Sequence, residues 1–414
     1  MQTATVPQRA AIAVLSHSLP PDGGGQATVL GRLLGGLDPA SYRLVNSGRR
    51  HATTVPAATA WPAARVPQPW LLRKLRKATA LQPLVFEAMV ASRTRAVARL
   101  LRRDRCAAVV GCTGDDLVDL PAAVAAAGML GIPAYLYYFD DYRFQWKATG
   151  LVWGPAAAAR LRDRVEARVL AGAAGVIIPN EALADEVRRR SQVPVQIVRN
   201  PIDTDLYASL RSRSRGAADG PRRVVYTGAV YEAQGGALRN AARAIEALRA
   251  EGRDIALHLY TPDPPERLRA QGIPDSVVVH PAVPLAEAAA IQCRADVLLL
   301  PLSFTSNYPE LIRTSAPGKF GEYLAAGRPL LVHGPADSFP SRFATAHDCA
   351  AVCDVDDIGT LARLLTRLLD DAAWAAAVAH RAVATSDLFA IAPNRRAFLD
   401  FVLGQSPGNR NRRP

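Results

Sequence analysis

At 414 residues, with 49% hydrophobic and 21% charged side chains, the chain is too long for one ordinary core and too apolar for extended disorder. Two folded domains of about 100–200 residues each are expected. The five cysteines are an odd number with no Cys-x-x-Cys pair and no nearby histidine at zinc spacing, which excludes a zinc knuckle and suits buried thiols in a reducing compartment. The formal charge of +13 suits nucleic acid, an anionic membrane surface or phosphorylated ligands, and by itself selects none of them.

The apolar run from Ala10 to Leu15 ends before Pro20 and Pro21. It is shorter than the ~7–15 residues of a secretory core, so a cytoplasmic location is the expectation. Ala11 to Ser16 reads as a buried strand, followed by the loop H-S-L-P-P-D-G-G-G and a helix with Val29, Leu30, Leu33, Leu34 and Leu37 on one face. Tyr42 to Asn46, Ala107 to Gly111, Ala134 to Phe139, Gly175 to Ile178 and Val195 to Val198 supply five further strands. The uncharged stretch from Pro121 to Phe139 is broken by Gly128, Gly131 and Pro133, so it reads as helix, turn and strand instead of a membrane span.

Ala208 to Pro221 is polar and lacks apolar periodicity, which makes it the expected linker between a first domain, residues 1–207, and a second, residues 222–392. The second begins a new strand series: Arg223 to Thr227, Ile255 to Leu259, Val277 to Val279, Asp296 to Leu300, Leu330 to His333 and Ala350 to Cys353. A helix within 393–405 is expected to cross back to the first domain, ahead of a disordered tail at 406–414. Strand and helix alternate in both halves, so the fold class is α/β with two doubly wound parallel sheets.

Gly23, Gly24 and Gly25 lie between the first strand and first helix, where a side-chain-free backbone and helix N–H groups suit phosphate or sugar oxygens. A plain tight turn explains them equally well, since the run is not the dinucleotide fingerprint. The stretch P-G-K-F-G-E-Y-L-A-A-G-R-P-L-L-V, Pro317 to Val332, places a helix start at the carboxyl edge of a sheet. Lys319 and Glu322 share a face of that helix, as a diphosphate and ribose pair or as a plain ion pair. Asp140 and Asp141 follow a strand, where one of them can orient an acceptor or take its proton, or where both merely cap and solvate the loop. His17, also at a strand end, is the third candidate for the acceptor side.

Four segments together resemble the retaining glycosyltransferase family four. They are S-H-S-L-P-P-D-G-G-G, V-I-I-P-N-E-A-L-A-D-E-V with Q-I-V-R-N-P-I-D-T-D-L-Y, V-V-Y-T-G-A-V-Y-E-A-Q-G-G, and A-P-G-K-F-G-E-Y-L-A-A-G-R-P-L-L-V-H-G-P. The resemblance covers both halves in order and implies the GT-B fold, two Rossmann-like domains facing across a cleft. It implies sugar transfer from a nucleotide-sugar donor with retention, and no metal or other cofactor. Glu322 falls on the carboxylate that holds the donor ribose, and Lys319 on a basic position facing the diphosphate, with Phe320 between them. Gly24 and Gly25 match the loop that closes on the donor. Gly228 and Gln234 to Gly236, Gly235 among them, match the loop that opens the nucleotide domain.

The departures are specific. Thr314 stands where the family has an earlier glutamate, and Tyr231, Glu232 and Gln234 stand where many members have Arg and Lys, which shifts diphosphate charge toward Lys319 or Arg313. Phe139, Asp140 and Asp141 stand where a His-Asp pair is common. From Trp70 to Arg105 there are ten basic and two acidic residues, with Arg73, Lys74, Arg76 and Lys77 beside Trp70, Leu71, Leu72 and Leu75. That segment is either a solvated face or an anionic-membrane contact at the inner membrane face, the second of which suits a lipid-linked acceptor. Nucleic acid is not an expected partner, because no binding motif accompanies the charge. A nucleotide-sugar epimerase of the same architecture and a catalytically silent sugar-nucleotide-binding protein are the alternative functions.

Overall fold

The computed structural model describes residues 11–48, 63–66, 82–114, 116–148, 155–213 and 220–404. Its first unit holds a sheet of seven strands: β1 (Ile12–Ser16), β2 (Tyr42–Asn46), β3 (Ala63–Arg65), β4 (Ala108–Cys112), β5 (Ala134–Tyr137), β6 (Gly175–Ile178) and β7 (Val195–Ile197). They lie in the order β3-β2-β1-β4-β5-β6-β7, every neighbouring pair parallel. β1 and β4 are buried along their whole length, as strands covered by helices on both faces must be. Six of these strands match the sequence expectation. β3 does not, because Ala63–Arg65 is a short edge strand with no β-branched or aromatic residue to signal it.

The second unit holds β8 (Arg222–Thr227), β9 (Ile255–Thr261), β10 (Val278–Pro281), β11 (Val297–Pro301), β12 (Leu330–His333) and β13 (Ala351–Cys353) in the order β10-β9-β8-β11-β12-β13, again all parallel. Both sheets reverse their order beside the first strand, between β1 and β4 and between β8 and β11. Crevices at the carboxyl ends of such strands are where open α/β sheets bind ligands.

The division between units differs from the expected linker. Compact packing assigns Asn200–Pro393 to the second unit, and the chain through Arg199 together with Asn394 onward to the first. Residues 208–213 are the end of a helix, Thr204–Arg213, and not a linker. Tyr207 of this helix is buried and donates to Gln292 Oε1 at 2.6 Å, and Arg211 donates to the Ala325 carbonyl. The arginine-serine run has no apolar period because polar contacts hold the helix. Residues 214–219 lie outside the described residues.

The helix Ile391–Val402 carries the chain into the first unit, with Pro393 in its first turn, where a missing N–H costs nothing. Phe398 and Val402 are buried beside β1, β2, β4 and β5 residues. Arg395 donates to the carbonyls of Arg32 and Leu33 at 2.9 and 2.8 Å and to that of Gly35, satisfying the end of the helix Gly25–Leu34. All five cysteines are buried free thiols.

Candidate functional site

The carboxyl edge of the second sheet gathers most of the donor-side candidates. β8 ends at Thr227, and the chain turns through Gly228 into the helix Glu232–Ala250. Gly228 has φ +127°, a conformation that other L-residues rarely adopt. A Cβ there would lie 2.7 Å from Lys319 Nζ, so the missing side chain leaves the slot that the ammonium fills. Gly228 and Lys319, 91 positions apart in sequence, therefore meet at the end of β8.

Lys319 enters this slot from the first turn of the helix Gly318–Ala325. Its Nζ donates to Tyr226 Oη at 2.7 Å and sits 4.2 Å from the centre of the Tyr226 ring. Tyr323, one turn further along, accepts the Thr227 N–H at 2.8 Å and pins the helix to β8. Burial pulls the Lys319 pKa down to about 8, against the opposing pull of Glu322. Glu322 is partly exposed on the same helix.

Two residues not anticipated from sequence shape the loop after β8. Asp263, following β9, accepts the Val230 N–H at 2.6 Å and pairs with Arg267 at 2.9 Å. Ser303, following β11, accepts the Gly236 N–H at 3.1 Å and donates to the Glu232 carbonyl at 2.9 Å, so a side chain intervenes in the first turn of the helix. The signal for Asp263 was its place in T-P-D, a strand end where short polar side chains turn the chain. A cavity of about 590 Å³ is lined by Glu232, Gly235, Gly236, Gln271, Ser303 and Asn307 among others.

The remaining donor-side residues divide. Gln234 accepts the Tyr231 N–H at 3.1 Å, so its side chain serves the helix start. Glu232 accepts from Ser306 Oγ and the Asn307 N–H, both at 2.8 Å, and fastens the loop after β11. Phe320 is not a donor-contact residue: it is 1% exposed and packs edge-on against Phe339, Phe343 and Phe389. Arg313 is partly exposed on the helix Pro309–Thr314. Thr314 is buried, with its hydroxyl on the Glu310 carbonyl at 2.8 Å, and supplies no carboxylate.

In the first unit, Ser16 organises the end of β1. Its Oγ accepts from the Ser18 N–H and from Gln26 Nε2 at 3.1 and 2.7 Å, and donates to the Ser18 carbonyl at 2.8 Å. Gly24, at φ +150°, starts the helix Gly25–Leu34, and Gly24 and Gly25 are exposed. The His17 ring lies against Gly114, where a Cβ would fall 1.9 Å from Nδ1. The Phe139 N–H donates to Thr113 Oγ1 at 2.9 Å, which ties the end of β5 to that of β4.

The two aspartates have different fates. Asp141 is buried, accepts from Arg190 at 2.9 Å and from the Arg143 N–H at 2.9 Å, and shares Arg190 with Glu166. Its carboxylate is consumed by this network, which removes it as a proton acceptor. Asp140 makes no hydrogen bond or ion pair among the described residues. Burial and the neighbouring Asp141 charge push its pKa up to about 6.

A third polar centre, unanticipated from the sequence, lies close by. Arg93, with no exposed side-chain surface, donates to Asp119 at 2.6 Å and Asp116 at 3.2 Å, and Ser47 donates to the other Asp119 oxygen. Burial, then the Asp116 charge, raises the Asp119 pKa to about 7.

No protein-family model matches the sequence, and no curated protein matches it. Solved structures do resemble the chain. Sucrose-phosphate synthase from Thermosynechococcus elongatus matches with a TM-score of 0.67 at 16% identity, over 96% of this chain and 100% of that one. Trehalose 6-phosphate synthase from Burkholderia multivorans matches at 0.64 and 13%, over 96% and 99%. Anabaena HepE in complex with UDP-glucose matches at 0.65 and 13%, over 95% and 99%. With two parallel sheets whose order reverses beside the first strand, the chain has the fold of these proteins, the GT-B arrangement of two Rossmann-like domains.

Proposed function

We propose that the chain is a glycosyltransferase that takes a sugar from a UDP-type nucleotide-sugar donor and passes it, with retention, to an acceptor hydroxyl. The observation that carries this reading is the Lys319 ammonium at the carboxyl end of β8, beside Gly228 and just ahead of the helix Glu232–Ala250. A diphosphate there meets a cation and the positive end of a helix dipole. Both stabilise the negative charge that grows on the leaving phosphate as the bond to the sugar breaks. Glu322 is assigned to the ribose hydroxyls, and Asp140 to orienting the acceptor hydroxyl. Two structural neighbours are described with UDP chemistry, HepE by its bound UDP-glucose and a Burkholderia trehalose-phosphate synthase as UDP-forming.

The positive charge comes from the chain itself, so transfer is proposed to run without a divalent metal. The test is transfer from UDP-glucose to a panel of sugar, sugar phosphate and lipid-linked acceptors in the presence of a chelator, followed by NMR. An α-linked product is expected, and an inverted product would overturn retention. A second reading, sugar-nucleotide binding without turnover, is favoured by Thr314, a buried hydroxyl at the position where the resemblance expects a glutamate. UDP binding with no turnover of any donor would select it.

We also propose that Arg73, Lys74, Arg76 and Lys77 draw the protein to anionic membranes. This segment lies outside the described residues, and no helix among the described ones is long and apolar enough to cross a membrane. Sedimentation with anionic but not neutral vesicles at moderate salt is the expected outcome. Equal sedimentation with both makes a soluble acceptor the better assignment.

A further inference from the structure

We propose that Tyr226 is a positioning residue for the diphosphate-binding lysine: its ring and hydroxyl hold the Lys319 ammonium at the end of β8 in a protonated, phosphate-ready place. The inference rests on the assignment of Lys319 to the diphosphate.

Three contacts define the arrangement. Tyr226 is fully buried in β8, and its hydroxyl donates to the Ala229 carbonyl at 2.6 Å. With its proton committed there, the oxygen presents a lone pair to Lys319 Nζ at 2.7 Å. The same ammonium stands 4.2 Å from the ring centre, within the range of a cation–π contact. One side chain thus supplies two stabilising contacts to a charge that burial disfavours.

The hydroxyl stays protonated. Burial first, then the neighbouring Tyr323, Asp263 and Tyr231, raises the Tyr226 pKa well above its ordinary value, so Tyr226 does not become the counter-ion of Lys319. The charged group that favours the protonated lysine is Glu322, from its own helix, while Asp263 pairs with Arg267 at 2.9 Å. Tyr226 also sets geometry. A four-carbon stem with a free ammonium samples many positions, and a hydrogen bond with a ring face selects one of them, beside Gly228 at the end of β8.

The chain Lys319–Tyr226–Ala229 further couples the lysine to the backbone of the loop that Gly228 opens. A diphosphate drawing the ammonium outward pulls against a fixed carbonyl, so the ammonium is presented as a fixed donor. Tyr226 needs no contact with the ligand to exert this effect.

The test is calorimetric titration of UDP and of uridine, across pH values above about 7 so that the terminal phosphate stays ionised, into wild type, Tyr226→Phe, Tyr226→Leu and Lys319→Ala. In wild type, UDP affinity should fall as pH rises through about 8, where Lys319 loses its proton. Tyr226→Phe keeps the ring and removes the hydroxyl, so the midpoint of that fall should move down by on the order of one unit. Uridine affinity and the melting temperature should stay near wild type. Tyr226→Leu removes both contacts and should lower UDP affinity further, toward that of Lys319→Ala. An unmoved midpoint in Tyr226→Phe overturns the inference. So does a parallel fall in UDP and uridine affinity, which marks a merely structural tyrosine. If Lys319→Ala leaves the preference for UDP over uridine intact, the assignment of Lys319 itself has failed, and the inference goes with it.

Discussion

Replacing Glu322 with alanine is expected to weaken UDP binding by about tenfold to over a hundredfold. A carboxylate holding ribose hydroxyls makes charged hydrogen bonds, and each one lost is worth about 1.5–3 kcal/mol. The loss should be shared by uridine, which carries the same ribose, and so differs in kind from the loss caused by removing Lys319. Glu322 is partly exposed and lies on the helix face that leads away from the Phe320 cluster, so the fold should persist. Calorimetric titration and circular dichroism of Glu322→Ala check both halves. Unchanged uridine and UDP affinity in a folded variant would remove Glu322 from the site.

The second large effect is on stability. Arg93→Ala is expected to destabilise the first unit by about 3–5 kcal/mol, because it strands the buried Asp119 carboxylate without its partner. The cost should depend on pH in a definite direction. Asp119 already has its folded pKa raised to about 7, above the ~3.9 of an unfolded aspartate. Folding therefore takes up a proton between those values, and this contribution is complete at the acid end and lost as pH rises toward about 7. Without Arg93 the carboxyl holds its proton more tightly, so the variant's deficit should be larger at pH 8 than at pH 5. Urea denaturation at the two values measures it. An equal, sub-kilocalorie deficit at both would mean that the network carries little stability.

The sequence and the structure agree where burial dictates composition. A parallel strand covered on both faces must be largely apolar, so β1, β4 and β11 stand out as short buried runs rich in Val, Leu, Ile and Ala. β3 lies at an edge with its first and third residues exposed, and carries no such mark. The helix Thr204–Arg213 leaves no apolar period in the sequence for a related reason, since Tyr207 is its single buried residue and polar partners do the rest.

At the site, legibility follows sequence distance. Lys319 and Glu322 belong to one helix turn and could be paired from spacing. Phe320 shares that turn but is rotated about 100° from Lys319, which sends it into the core. Tyr226 is 93 positions from Lys319, and nothing in a strand of buried residues distinguishes a tyrosine that fills space from one that also carries an ammonium. Asp141 misleads in the opposite way. Its place at a strand end suits catalysis, but Arg190, 49 positions on, claims the carboxylate. Asp140 is left beside it without a partner among the described residues, with its pKa near the working range of a proton acceptor.

The central claim is that the carboxyl edge of the second sheet binds a nucleoside diphosphate through Lys319. It is tested most directly by the difference in affinity between UDP and uridine, measured calorimetrically near pH 7 in wild type and in Lys319→Ala. Wild type should bind UDP more tightly than uridine, and the alanine variant should lose most of that difference while keeping its affinity for uridine. An equal UDP preference in the two proteins, or no binding of UDP to the wild type, would contradict the account.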